Sequence, residues 1–168
     1  MVEITYQMVL STVQTIALIV GIFYYITIMR NAQKAKRYEN LKWFLEQRSN
    51  TEDLLKYAWV QNLEWEDYED HLNKYGRKEN PEAWARLWSY LVMFDDVGLM
   101  VRRGLMDIDD FYDISQRSIP SVWKKYQPII EENRKRGNPT SMIDFEYLVE
   151  EMHSVSRRRG DNLLADLA

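Results

Sequence analysis

The chain has no cysteine and, in 168 residues, only six glycines, four prolines and two histidines. Without cysteine there is no disulfide framework, no thiolate nucleophile and no thiolate metal site. Its absence also fits a reducing compartment. The glycines stand singly, mostly where helices are expected to end, so no Gly-rich phosphate loop is present. There is no G-x-S-x-G turn, and His71 and His153 are the whole imidazole supply. These absences argue against a hydrolase or a nucleotide enzyme. Basic charge is also missing at the start: no Lys or Arg precedes Arg30. The net charge is −4 and the aromatics fall at core spacing, so no nucleic-acid partner is expected.

What the chain does have is an apolar run. Residues 9–29 read VLSTVQTIALIVGIFYYITIM, without a charge. About twenty apolar residues in helical form cross a hydrocarbon core of roughly 30 Å. A secretory signal would need a basic start, a shorter apolar stretch and a small-residue cleavage site. Here the start is MVEITYQ and the run closes on Tyr24, Tyr25, Thr27 and Met29. The run is therefore expected to be a retained transmembrane helix, with residues 1–8 as a short extracytoplasmic N-terminus. Arg30, Lys34, Lys36, Arg37 and Lys42 follow it, and the flank richer in Lys and Arg stays cytoplasmic. This gives a single-pass protein of the plasma membrane, N-terminus outside. The five basic residues are expected to meet anionic lipid headgroups, at about 1 kcal/mol each.

The run has a sidedness. Ser11, Gln14, Leu18, Gly21, Tyr25 and Ile28 are spaced 3, 4, 3, 4 and 3, one stripe of a helix packed at a coiled-coil angle. Gln14 turned to lipid would leave its amide unsatisfied, so it should face a partner or water. The stripe predicts a homo-oligomer, or a pore lined by Gln14 and threonines. The plainer reading is a lone span whose polar side chains bond to their own backbone carbonyls.

Beyond the run the apolar residues recur at helical spacing and no strand pattern appears. The expected fold is all-α. The span continues into a basic juxtamembrane helix over 30–48, with Tyr38, Leu41 and Leu45 on one stripe. About six helices then form a cytosolic domain over 49–158, and 159–168 is a tail. Ser49 with Glu52 suggests a capping box. Asn80-Pro81 is a strong helix start, and the helix it opens carries Trp84, Leu87, Trp88, Leu91, Phe94, Leu99 and Met100 as the expected core. Asp107 and Ser141 are expected caps, and Pro128 is expected to kink or restart its helix.

The stretch FDDVGLMVRRGLMDIDDFYD, with VWKKYQPIIEENRKR and FEYLVEEM after it, resembles a family of small bacterial and archaeal membrane proteins catalogued as a domain of unknown function. Members pair one N-terminal span with a helical domain carrying a V-x-x-G-L turn, here Val101 to Leu105, and a W-x-x-Y-x-P-x-I helix, here Trp123 to Ile130. The resemblance covers roughly residues 10–155. It implies the same architecture and supplies no catalytic residue and no cofactor.

Three side-chain patterns remain. Glu146, Glu150 and His153 share a helix face, and Glu-x-x-His is the half-site of a di-iron bundle. The second half-site is missing, because Tyr68 stands where His71 would need a Glu, so an exposed polar face is the cheaper explanation and no cofactor is expected. Acids crowd Glu64 to Asp70 and Asp107 to Asp113, without the order of a calcium loop. They suit solvated faces and helix N-termini. Asp95 and Asp96 interrupt an apolar helix, and a structural ion pair with Arg102 or Arg103 is expected.

The expected function is that of a non-enzymatic single-pass membrane protein. It self-associates through its span, contacts membrane lipid, and uses the helical domain to bind a cytosolic protein or further copies of itself. The alternatives are a small homo-oligomeric ion channel gated by that domain and, less well supported, a metal-dependent membrane-anchored enzyme.

Overall fold

A computed structural model describes residues 6–48, 51–115 and 117–161. Among the described residues the chain is all-helical: α1 (Tyr6–Arg48), α2 (Thr51–Asn62), α3 (Tyr68–Tyr75), α4 (Pro81–Arg102), α5 (Ile108–Ser115), α6 (Ser118–Lys135) and α7 (Ile143–Arg159). It divides into two compact units, Met1–Glu39 and Asn40–Ala168. The Ser49 capping position and residues 162–168 of the expected tail lie outside the described residues.

The first unit is helix α1 up to Glu39. Every side chain from Tyr6 to Glu39 is exposed. Helix α1 is long and apolar enough to cross a membrane. Thr12, Thr15 and Thr27 donate their hydroxyl protons to the carbonyls of Met8, Ser11 and Phe23, four residues back. That is how a hydroxyl satisfies itself on an apolar helix without a partner.

The second unit builds its core from α4, α6 and α7, with Phe44 from the end of α1. Helix α4 starts where the sequence predicts: Pro81 takes its first position, and the Asn80 side chain accepts the Ala83 amide proton at 3.1 Å. Its buried face is Leu87, Tyr90, Leu91, Phe94, Val97 and Gly98. Leu99, expected in the core, is 37% exposed, because two residues on from the buried Val97 the 3.6-residue repeat has turned it nearly to the other side of the helix. Near the end of α1 the buried residue is Phe44, while Tyr38 and Leu45 are exposed. Phe44 meets the Phe111 ring at 4.8 Å.

Helix α6 runs through Pro128 without restarting. The residue lies on the exposed side, so its ring and missing amide fall outside the core. Asp67 caps α3, accepting the Asp70 amide proton at 2.8 Å. Asp107 likewise accepts from Asp109 at the start of α5. Helix α7 departs from expectation. Ser141 does not cap it; Met142 does the turning, in the left-handed region at φ 53°, and no local side chain caps the helix.

Candidate functional site

The cap of α7 comes from α4. Asp95 Oδ1 accepts the Asp144 amide proton at 3.0 Å and that of Phe145 at 2.8 Å. One turn on, Gly98 lets the helices approach, since a Cβ there would stand 1.9 Å from the Asp144 carbonyl oxygen. A further turn on, Arg102 pairs with the Asp144 carboxylate at 3.1 Å, donates to the Ile143 carbonyl at 3.3 Å and lies over the Tyr147 ring. Asp95, Gly98 and Arg102 are spaced 3 and 4, so one face of α4 receives the start of α7. From α6, Arg134 donates to the Ser141 and Met142 carbonyls and grips the Glu146 carboxylate at 2.7 Å.

This arrangement corrects the expected ion pair. The carboxylate that Arg102 meets is Asp144, and Asp95 faces backbone amides instead. Asp96 and Arg103 are exposed. A run of sequence shows which charges lie one turn apart, but not which amides a distant helix presents to them. Burial holds the Asp95 carboxyl above its ordinary value; the Phe145 and Asp144 amides pull it down, and burial prevails.

The helix-face triplet is also accounted for. Glu146 is held by Arg134, Glu150 is exposed, and His153 is half-buried, its pKa lowered by burial and then by Arg157. Among the described residues no three His, Asp or Glu side chains gather into a group that could hold a metal ion. The acidic clusters serve caps and pairs. Glu69 meets Arg136 at 2.6 Å, Asp70 meets Lys74 at 2.7 Å, and Asp109 and Asp113 meet Arg158 and Arg159.

On α1, Ser11, Gln14, Leu18, Gly21 and Tyr25 are exposed along one stripe, with no atom within 4 Å of a Cβ placed on Gly21. Arg30, Lys34, Lys36 and Arg37 are exposed below it. Lys42, in the second unit, is exposed beside Glu46 at 3.6 Å.

The feature that sequence reading missed surrounds His71. The side chain is 6% exposed, and neither ring nitrogen has a hydrogen-bond partner. It stands edge-on to Trp65, with ring centroids 5.1 Å apart, and 5.5 Å from Tyr75. Trp65 lies against Tyr126, whose hydroxyl donates to the Val60 carbonyl at 2.8 Å. Burial pushes the His71 pKa down to about 4, with Asp70 opposing weakly. The imidazole is therefore neutral at physiological pH, one nitrogen a donor and the other an acceptor. It lines a cavity of about 190 Å³ between α3, α4 and α6, walled by Tyr75, Trp84, Trp88, Leu91 and Ile129. The sequence signal was His71 on the apolar side of a short amphipathic helix, with Leu72 and Tyr75 beside it.

The sequence matches, over residues 11–152, a family described as a domain of unknown function, DUF4760, and the chain belongs to that family. The match takes in the apolar run from Ser11 onward, the His71 cavity and the α4–α7 junction. No curated protein and no solved structure matches the chain.

Proposed function

We propose that this DUF4760 member is a non-enzymatic, single-pass protein of the plasma membrane. Helix α1 anchors it, and the helices of residues 40–161 form a cytosolic interaction domain. The observation that carries this reading is the contrast between the two units. Every side chain from Tyr6 to Glu39 is exposed, including Val13, Leu18, Phe23 and Tyr25 at more than half, while the second unit encloses its own core. Moving a large apolar side chain from water into hydrocarbon gains about 1.5–3 kcal/mol, so a run of this length favours lipid strongly. The uneven distribution of Lys and Arg supports an outside N-terminus.

Self-association follows from the Ser11, Gln14, Leu18, Gly21 and Tyr25 stripe. It is open along its length, and Gly21 has room for a close neighbour. The hydroxyls of Thr12, Thr15 and Thr27 are already satisfied within the helix, which leaves Gln14 as the side chain that gains most from a second copy.

The absence of cysteine makes the test direct. In intact cells a membrane-impermeant maleimide should label the Gln7→Cys protein, and should label the Lys78→Cys protein only after lysis. The chain should stay in the membrane pellet through alkaline carbonate. Release by carbonate overturns the anchor; reversed labelling overturns the orientation. Cross-linking of the full chain in detergent should give oligomers that Gln14→Leu with Gly21→Leu removes. An unchanged ladder in that double variant ends the stripe hypothesis and leaves the anchor standing.

A further inference from the structure

We propose that the outer face of α4 is a docking surface for a second copy of this chain, laid antiparallel along it. The contact lies within the second unit, apart from the Gln14 and Gly21 stripe, and holds whether or not α1 spans a membrane.

Helix α4 has two faces. One holds Leu87, Leu91, Phe94 and Gly98 and is buried in the domain. On the other, Ala85, Ser89, Val92, Asp96 and Leu99 follow at spacings of 4, 3, 4 and 3, and all five are exposed. That is the spacing of a helix that packs along another helix. A helix with a core on one side only carries polar residues across the opposite side. Here the opposite side keeps Ala85, Val92 and Leu99 at intervals of seven, with Val92 42% and Leu99 37% exposed. The small side chains of Ala85 and Ser89 let a second helix come close.

Charge decides what the partner is. Glu82 continues the stripe three residues before Ala85, and Arg103 continues it four residues after Leu99. Both are exposed, and neither makes an ion pair among the described residues. Their basic neighbours are engaged elsewhere. The Arg77 and Arg86 guanidiniums lie over the Trp84 and Trp59 rings, at 5.1 and 5.0 Å, and Arg102 pairs with Asp144. One end of the stripe is therefore acidic and the other basic, about 31 Å apart at the helical rise. The complement of such a stripe is the same stripe reversed. In an antiparallel copy Glu82 meets Arg103 of the second chain at both ends, with the two-fold axis near Val92. The two helix dipoles then also oppose each other. A parallel copy sets Glu82 against Glu82 and Arg103 against Arg103, which repel. The surface is small, so the dimer is a reversible one.

The test uses the full chain in detergent, carrying Gln14→Leu with Gly21→Leu so that the span stripe contributes nothing. Mass is read against concentration in the analytical ultracentrifuge, and a concentration-dependent dimer is expected. Glu82→Arg alone, or Arg103→Glu alone, should weaken it about tenfold, since each turns two attractions per dimer into repulsions. The two substitutions together should restore the original dissociation constant. Both positions are exposed, so Tm should move little in any of these variants. The lack of cysteine allows a check on direction. With a short bismaleimide Val92→Cys should join to itself, and Ala85→Cys should join to Leu99→Cys in a mixed sample but not to itself. A monomer at every concentration overturns the proposal and leaves the face to an unrelated partner. Single charge reversals without effect overturn it, as does a double reversal that restores nothing. Self-joining of Ala85→Cys overturns the antiparallel arrangement. None of these results bears on the span stripe, whose ladder is read in the parent chain.

Discussion

Asp95 and Phe145 lie fifty residues apart in sequence, and the Phe145 amide donates to the Asp95 carboxylate at 2.8 Å. The side chain that starts the last described helix therefore belongs to the middle of another one. Removing it should cost more than an ordinary surface cap. We expect Asp95→Ala to destabilise the domain by about 2 kcal/mol, the upper end for a lost cap, and Asp95→Asn by under about 1 kcal/mol, because the amide oxygen still accepts. Thermal melts in detergent separate the two. Equal losses would mean that the charge, not the hydrogen bonds, holds α7.

The same carboxylate predicts a pH slope. Its folded pKa is raised by burial, so between the unfolded and folded values the folded chain binds the proton more tightly. The contribution of this group favours the fold in acid and declines as pH rises through the carboxylate range. Asp95→Asn should flatten that decline in urea midpoints measured from pH 3 to pH 6. A slope identical in the variant would place the titration elsewhere.

Gly98 should tolerate no side chain. A Cβ would come within 1.9 Å of the Asp144 carbonyl oxygen, and that oxygen is backbone, so one helix must shift. Gly98→Ala should lose on the order of 3 kcal/mol, at the upper end for overpacking, despite the better helix propensity of alanine. A neutral or stabilising result in a thermal melt would refute the close approach of α4 and α7.

Two arginines that look equivalent in sequence should differ. Arg134 is mostly buried, with its side chain 20% exposed, and it serves two carbonyls and Glu146. Arg158 is 60% exposed and pairs with Asp109. Arg134→Ala should cost about 2–3 kcal/mol, through acceptors left without a donor. Arg158→Ala should cost under about 1 kcal/mol and lose most of that in 1 M salt. Denaturation at two ionic strengths checks both.

His71 gives the opposite pH dependence to Asp95. Its folded pKa is about 4 against an ordinary 6.5. Its contribution is fully present above pH 6.5 and is lost as the unfolded chain takes up a proton between pH 6.5 and about 4. The loss amounts to roughly 3 kcal/mol at most. His71→Phe should remove that acid sensitivity, and the parent imidazole should show no NMR titration between pH 5.5 and pH 8. A midpoint near 6.5 would contradict its burial.

Features set by neighbouring residues were legible in the sequence. Asn80 and Pro81 announced the start of α4, Asp107 that of α5, and the 3.6-residue spacing gave an all-α chain with one long apolar helix. Features set across the fold were not. Ser141 has the chemistry of a cap, but Met142 takes the left-handed turn and Asp95 supplies the acceptor. Arg102 has Asp95 and Asp96 about two turns away on its own helix, yet pairs with Asp144. In sequence His71 is a histidine without the Glu that a metal half-site needs, and spacing along one helix says nothing of Trp65, or of Trp84 and Trp88 across the cavity. Pro128 reads as a breaker wherever it stands, and only its position on the outer face of α6 shows why the helix survives it.

The reception of α7 on α4 also sets a timetable. A ribosome adding 5–20 residues per second needs a few seconds to pass from Arg102 to Phe145. Through that interval the face bearing Leu91, Phe94 and Val97 has been made and the helix that covers it has not. For those seconds an apolar face that the finished fold buries stands uncovered.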